Sequence, residues 1–358
     1  MTTDSNIQTM SQNQLLFTPG TLWERLKQQT EYALECGALQ PIPTEYEFVQ
    51  QDNIRFLVRI LSNLSRKDDA TKQQKKKKAE TGKDFNPFLP YEQDLFVADI
   101  SQTHLCLLNK YNVVDNHLLI VTREFEEQEN LLNLQDFQAL GCCMAEFDGL
   151  AFYNAGKVAG ASQRHKHLQM IPLPMVLDGE RIPIERAIAT ATFDNGIGVT
   201  SEFPFRHALV KLDSGWINSP VDSAGEILAS YFALLKAVGI EDSDDKSGKQ
   251  SGNYTGLTQI NLKNAICRGE WHSPSLDLVS VPKSCYNLLV TREWMLVVSR
   301  SHESFKSISV NSLGFAGALL VKNQEQMKII KEHKPLNILR DVARRRSQES
   351  GVRSQEGR

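Results

Sequence analysis

The chain has 358 residues, 41% hydrophobic and 23% charged, which suits a globular protein of one large or two modest domains. A formal net charge of -3 excludes nucleic-acid binding by bulk electrostatics, while leaving local basic clusters free to serve anionic substrates. The six cysteines, Cys36, Cys106, Cys142, Cys143, Cys267 and Cys285, form no Cys-x-x-Cys pair, so no thiolate set for a structural zinc is evident and free thiols in a reducing compartment are expected. No run approaches the ~18 apolar residues of a membrane span, and the N-terminal residues show no basic-then-apolar signal, so a cytoplasmic protein with no membrane partner is expected.

Residues 1 to 12 are polar and expected to be disordered. Thr21 to about Gly37 predicts a helix, with Thr21 as cap and Leu22, Trp23, Leu26, Ala33 and Leu34 as a partial apolar face. Ile54 to Ile60 is an extended run. Residues 66–84 contain Lys75 to Lys78 and predict a mobile basic loop; steering of a polyphosphate is the functional alternative. Four strands follow, at Leu95–Ile100, His104–Leu108, His117–Thr122 and Leu150–Asn154, with a helix from Asn133 to Asp148 between the last two. Lys166–Ile171 predicts a further strand, ended by Pro172 and Pro174. A strand at Phe205–Leu212, a helix at Asp222–Gly239 and a strand at Leu257–Leu262 echo the earlier order. Asn287 precedes Met295-Leu-Val-Val by eight residues, as Asn109 precedes His117-Leu-Leu-Ile by eight, so the second half reads as a decayed copy of the first. Leu336–Arg346 predicts a helix, and residues 346–358 a disordered tail.

The densest chemistry lies between Asn154 and Pro174. His165, His167 and Gln169 are two residues apart, so on a strand their side chains share one face. Gly160-Ala161-Ser162 before them are small, with backbone N–H groups able to approach a phosphate. An imidazole beside an anion cradle points to covalent catalysis at phosphorus.

The stretch GASQRHKHLQ resembles the His-x-His-x-Gln motif of the nucleotidyltransferase branch of the histidine-triad superfamily, and within it the ATP adenylyltransferases, or diadenosine tetraphosphate phosphorylases. The resemblance also runs through Asn86-Pro-Phe-Leu-Pro-Tyr91, Leu108–Tyr111 with His117–Thr122, and Tyr286–Met295, covering about residues 15 to 345. It implies an α+β fold, a histidine-triad-like antiparallel sheet with flanking helices, in two tandem halves: a catalytic one over 13–200 and a degenerate one over 201–345.

The resemblance further implies phosphorolysis of diadenosine tetraphosphate to ATP and ADP, and its reverse, through an adenylyl group on His167. His165 then supports the nucleophile, by direct catalysis or as a structural hydrogen-bonding residue. The hydrolases of the superfamily carry a third histidine where Gln169 stands. An amide hydrogen-bonds without acid–base function, which favours transfer over hydrolysis. Asn154, Gly160, Ala161, Ser162 and Gln163 match the family's phosphate-binding positions, Asn109 and Lys110 a nucleotide-contacting pair, and Lys67 a polyphosphate-contacting lysine. Asn287, Thr291, Met295 and Arg300 are candidates for the far end of the dinucleotide; for Met295 and Arg300 a core methionine and an isolated arginine are the alternatives. The expected partners are small nucleotides and phosphate, with Mg²⁺ arriving on the polyphosphate, no tightly bound metal or other cofactor, and a monomer or weak homo-oligomer. A sugar-1-phosphate uridylyltransferase is one alternative, though that motif usually has Pro where Lys166 stands. A non-catalytic nucleotide sensor, or a metal protein using His165 and His167 as ligands, is the other.

Overall fold

In the computed structural model, residues 15–62, 85–240 and 285–346 are described. Lys67, the 66–84 loop and the expected Leu257–Leu262 strand lie outside them. The Leu22–Glu35 helix opens the fold. β1 (Thr44–Gln51) and β2 (Ile54–Leu61) then form a hairpin, with Asp52 at φ +50° in the connecting turn. A short polar residue tolerates that left-handed backbone, which matches the twist of paired strands.

The first half continues with β3 (Phe96–Asp99), β4 (His104–Leu108), β5 (Leu118–Thr122), a helix at Leu134–Glu146, β6 (Gly149–Asn154) and β7 (His167–Pro172). The second half has β8 (Thr192–Asp194), β9 (Ile197–Val199), β10 (His207–Lys211), a helix at Pro220–Ala237, β11 (Tyr286–Val290) and β12 (Trp294–Ser299). These strands form one ten-stranded sheet in the order β3-β4-β5-β7-β6-β11-β12-β10-β9-β8, with each described pair antiparallel. Each half has three outer strands, then a helix, then two strands placed in reversed order at the centre. The halves meet where β6 pairs with β11, Asn154 opposite Asn287.

This topology corrects the internal alignment expected from sequence. β12 occupies the place of β7, not of β5, whose counterpart is β10. The matching apolar strings misled because any strand buried on both faces reads as a continuous run. β8 and β9 extend the sheet beyond β10 at its edge.

The two helices at Leu134–Glu146 and Pro220–Ala237 cover one sheet face, where Leu168, Met170, Tyr153, Met295 and Val297 meet Phe137, Leu140, Tyr231 and Leu234. On the opposite face, Trp294, Leu296 and Val298 of β12 pack with Phe315, Leu336, Ile338 and Leu339. β13 (Ser304–Phe305), β14 (Ile308–Ser309), a helical turn at Ser312–Phe315, β15 (Ala318–Val321) and helices at Gln324–His333 and Pro335–Val342 complete that layer. β15 also pairs parallel to β2, so the second half finishes the sheet begun by the N-terminal hairpin. Where β7 presents His167 and Gln169, β12 offers only apolar side chains under these helices. Among the described residues no helix is long and apolar enough to cross a membrane.

Candidate active site

The Leu134–Glu146 helix begins in a reciprocal cap. Asn133 Oδ1 accepts from the Asp136 backbone N–H at 3.0 Å, and Asp136 Oδ2 accepts from that of Asn133 at 2.7 Å. The same buried carboxylate meets Lys166 Nζ at 2.6 Å and His104 Nε2 at 3.0 Å, and Glu126 joins Lys166 at 3.0 Å. Burial opposes its ionisation, but Lys166 and His104 more than offset this and hold its pKa down at about 2. Lys166, between the two histidines, thus points through the sheet and fastens the motif to the helix start. Removing one partner would leave a buried charge uncompensated, typically costing about 3–5 kcal/mol.

On the other face the two histidines lie against one ring. Phe88 sits 5.5 Å from the His165 ring centre and 5.2 Å from that of His167. β7 begins at His167, and His165 precedes it in an isolated bridge to Glu127. His165 Nε2 donates to the Thr122 carbonyl at 2.8 Å, and its Nδ1 accepts from the Asn86 amide at 3.0 Å. Both ring nitrogens are therefore occupied, which gives His165 a holding role.

His167 differs. Its Nδ1 lies 2.7 Å from the His165 carbonyl oxygen, which can only accept, so the proton is on Nδ1. Nε2 keeps a lone pair and meets no partner among the described residues. Burial lowers its pKa to about 4, against a smaller opposing effect of the His165 carbonyl, so the ring is neutral at pH 7. Gln128, which sequence reasoning missed, sets its backbone. The Gln128 Oε1 accepts from the His167 N–H at 2.9 Å, and its Nε2 donates to the carbonyls of His167 and Asn154, each at 3.1 Å.

Gln169 Oε1 accepts from His117 Nε2 at 3.0 Å, and His117 Nδ1 accepts from Asn109 Nδ2 at 3.1 Å. Desolvation lowers His117 to about 4, so it too is neutral. With its oxygen engaged, Gln169 offers its amide N–H groups to a ligand. β6 and β7 pair as far as Phe152 opposite Gln169, and beyond that Gln128 Nε2 bridges the carbonyls of Asn154 and His167. The Asn154 Oδ1 accepts from Asn287 Nδ2 at 2.8 Å, and from Ser312 N at 2.9 Å and Oγ at 2.8 Å. Its amide nitrogen is likewise the group left over. By strand alternation both amides lie on the sheet face that carries the His167 ring.

The cradle follows β6. A turn at Lys157–Ala159 ends at Gly160, with φ +92°. A Cβ there would stand 2.8 Å from the Val310 carbonyl oxygen and 2.9 Å from Asn311, so only glycine fits. The Gly160 and Ala161 N–H groups close the turn on Lys157 and Gly156. Those of Ser162 and Gln163 have no backbone partner among the described residues.

Other expected site residues lie elsewhere. Lys110 pairs with Glu92 at 2.5 Å rather than with any group of the motif. Thr291 caps the β11–β12 turn by accepting from Trp294 N–H at 3.1 Å, at the far end of β11 from Asn287. Met295 is wholly buried in the helix-side core. Alternation along β12 puts it on the face opposite His167, which corrects its expected place at the site. Arg300 is 1% exposed, and all its donors go to protein oxygens, so it does not touch a substrate. Asn287 is also buried and touches Asn154 instead of solvent. Among the residues that sequence reasoning left without a role, Asn86 and Phe88 lay in the Asn86–Tyr91 stretch that carries part of the family resemblance. Gln128 carried no local signal.

The protein has known relatives. Residues 12–190 match the Ap4A phosphorylase N-terminal domain, and residues 201–345 the ATP adenylyltransferase C-terminal domain. Diadenosine 5',5'''-P1,P4-tetraphosphate phosphorylase 2 of Saccharomyces cerevisiae is 25% identical over 299 residues, covering 79% of this chain and 81% of that protein. Protein APA1 of the same yeast is 26% identical over 278 residues, covering 72% and 75%. The crystal structure of yeast Ap4A phosphorylase Apa2 in complex with AMP superposes with a TM-score of 0.66 at 20% identity, over 93% of this chain and 100% of that one. The same enzyme in complex with Ap4A gives 0.65 at 21% identity, over 91% and 98%. The fold is shared across that distance, and the chain belongs to the Ap4A phosphorylase family of nucleotidyltransferases, with the N-terminal domain of that family followed by an ATP adenylyltransferase C-terminal domain.

Proposed function

We propose that the chain cleaves diadenosine tetraphosphate by phosphorolysis to ATP and ADP, and runs the reverse synthesis, with His167 as nucleophile. The observation that carries this is the tautomer: Nδ1–H is held by the His165 carbonyl, so Nε2 has a lone pair ready at neutral pH. Nε2 attacks one α-phosphorus, a P–N bond forms, and the P–O bond to the remaining polyphosphate breaks, releasing ATP. An oxygen of inorganic phosphate then attacks the same phosphorus, the P–N bond breaks, and ADP leaves. Each displacement builds charge on phosphoryl oxygens, and the unengaged Asn154 and Gln169 amides and the Ser162 and Gln163 N–H groups support donation to them in this reading. Mg²⁺ arrives with the polyphosphate and neutralises part of its charge. Catalysis belongs to the 13–200 half, with 201–345 as its support, in a cytoplasmic enzyme acting on free nucleotides as a monomer or weak homo-oligomer. Lys67 stays a candidate polyphosphate contact.

The geometry opposes the metal-site alternative. His165 has both nitrogens engaged, so the His-x-His pair offers a metal one ligand, not two.

The test is incubation with diadenosine tetraphosphate with and without inorganic phosphate, followed by nucleotide separation. ATP and ADP in equal amounts, only when phosphate is present, is the expected outcome. AMP with ATP at a comparable rate in phosphate-free buffer would mark a hydrolase, and two ADP would mean that the α-phosphorus is not attacked.

The depressed pKa of His167 sets the acid limb of adenylyl-enzyme formation. Protonating Nε2 removes the nucleophile, so the rate falls as pH drops through the imidazole pKa. Because burial lowers that pKa to about 4, the rate should hold through the range where an ordinary imidazole of pKa about 6.5 titrates. Single-turnover labelling from pH 8 to pH 4.5 should show little loss above pH 6. A half-loss at pH 6.5 would mean the ring is not desolvated.

A further inference from the structure

The second half has no His-x-His-x-Gln motif, and on β12, the counterpart of β7, the equivalent face carries Trp294, Leu296 and Val298. It nevertheless holds an arginine that is unusual on physical grounds. Arg300 is 1% exposed, yet no donor of its guanidinium meets a carboxylate. Its Nε donates to Val342 O, one terminal nitrogen to Val310 O, Ala159 O and Asn287 Oδ1, and the other to His302 O and Glu303 O. The Glu303 carboxylate itself takes the Ser309 hydroxyl. A buried cation without an ion-pair partner is costly, and replacing it with an apolar side chain would often be neutral or stabilising. Its presence calls for another use.

The contacts show one. A guanidinium can only donate, so the 2.5 Å contact to Asn287 requires the amide oxygen on that side. The Asn287 amide nitrogen must then face the other way, where it lies 2.8 Å from both Asn154 Oδ1 and Ala159 O. The Ser312 backbone N–H, another obligate donor, also meets Asn154 Oδ1 at 2.9 Å. No amide flip satisfies these contacts with the Asn154 nitrogen turned inward. Arg300, Asn287 and Ser312, all from the second half, therefore take the Asn154 oxygen and leave its N–H donors turned away from them, on the sheet face that carries His167. Each link donates toward the next, and a charge at the head of such a chain strengthens the donors further along it. The Ala159 carbonyl, shared by Arg300 and Asn287, ties the phosphate turn to the same cation.

We propose that Arg300 and Asn287 are positioning residues for the substrate phosphate: they set the orientation of the Asn154 amide and pass the arginine's positive charge to it without touching substrate. The second half thereby completes the catalytic site of the first. This deepens the phosphorylase reading and rests on it for the identity of the anion.

The test is a double-mutant cycle between Asn287→Ala and Asn154→Ala in the full chain. It reads kcat/KM for phosphorolysis and, separately, the rise in Tm given by diadenosine tetraphosphate. Asn287→Ala should lower kcat/KM by about tenfold to a hundredfold in the wild-type background, comparable with loss of an oriented oxyanion donor. In the Asn154→Ala background it should change kcat/KM by less than about threefold, because the group it orients is gone. The ligand-induced Tm rise should follow the same pattern. A merely structural role predicts equal losses in both backgrounds, and that result overturns the proposal. Ser312→Ala, which removes one donor to Asn154 and cavitates less, gives the same cycle if Asn287→Ala does not fold. Arg300→Lys should retain more kcat/KM than Arg300→Met at matched folded fraction; equal values, or wild-type turnover by Arg300→Met, also overturn it. If the wild type fails to phosphorolyse, the phosphorylase reading fails. The Tm cycle, read with ATP as probe, still decides whether Asn287 acts through Asn154.

Discussion

His167→Ala should abolish adenylyl transfer, by about 10⁴-fold or more, while nucleotide binding persists. The side chain lost is the imidazole of the motif whose Nε2 is unengaged, and in the proposed mechanism both displacement steps pass through that atom. Binding should survive because the phosphate donors lie elsewhere: the Asn154 amide is held by Asn287 and Ser312, and the Gly160 turn by its own backbone bonds. Neither support includes the His167 ring. Gln128 continues to hold the backbone at 167, since its contacts there are to the main chain. The measurement is retention of labelled adenylate after incubation with labelled ATP, alongside the Tm rise given by ADP. Wild type should carry label and the variant none, with similar Tm rises. Labelling of a folded His167→Ala protein would place the nucleophile elsewhere, and loss of the Tm rise would mean that the imidazole is needed to build the pocket.

The second large effect concerns Gln169. Gln169→Glu keeps the shape and lets one oxygen go on accepting from His117. It turns the other terminal atom from a donor into an anion beside the substrate phosphates. Losing an oriented donor of this kind costs about 10²–10³ in rate. Charge repulsion adds to that, by about 1–4 kcal/mol for unit charges 4 Å apart at effective dielectric constants from water-like down to ~20. A fall in kcat/KM of at least about 10³ is therefore expected, with Tm within a few degrees of wild type. A fall below tenfold would show that Gln169 does not face the phosphates. Gln169→His asks a different question: an imidazole there can take a proton from water, so hydrolysis should rise relative to phosphorolysis even if the total rate drops. An unchanged ratio in a folded, adenylylating variant would mean that pocket shape, not the absence of a base, excludes water.

Much of the local structure was legible in the sequence because it depends on near neighbours. Asn133 with Asp136 marks a helix start, and His104–Leu108 reads as a strand from its continuous apolar run. The two-residue spacing of His165, His167 and Gln169, with Gly160 upstream, carried the resemblance to the family. The order of elements also implied two halves.

What the tertiary structure alone decided is which atoms of those residues are free. His167 has an unengaged Nε2 because a carbonyl two residues back accepts from its Nδ1, whereas Thr122 and Asn86 occupy both nitrogens of His165. Lys166 reads as a cation beside two histidines, but strand alternation sends it to Asp136 on the opposite face. The internal match of Asn109 with Asn287 failed for a similar reason. Apolar strings of equal length look alike, and only pairing partners show that β11 and β12 stand where β6 and β7 do. Arg300 and Asn287 were visible as residue types but not as supports, because hydrogen bonds to Ala159 and Asn154 span 141 and 133 positions of chain. Sequence spacing carries information about what one element can present. Which way a buried amide points is set by obligate donors arriving from distant segments, and that arrangement exists only once the sheet has closed across β6 and β11.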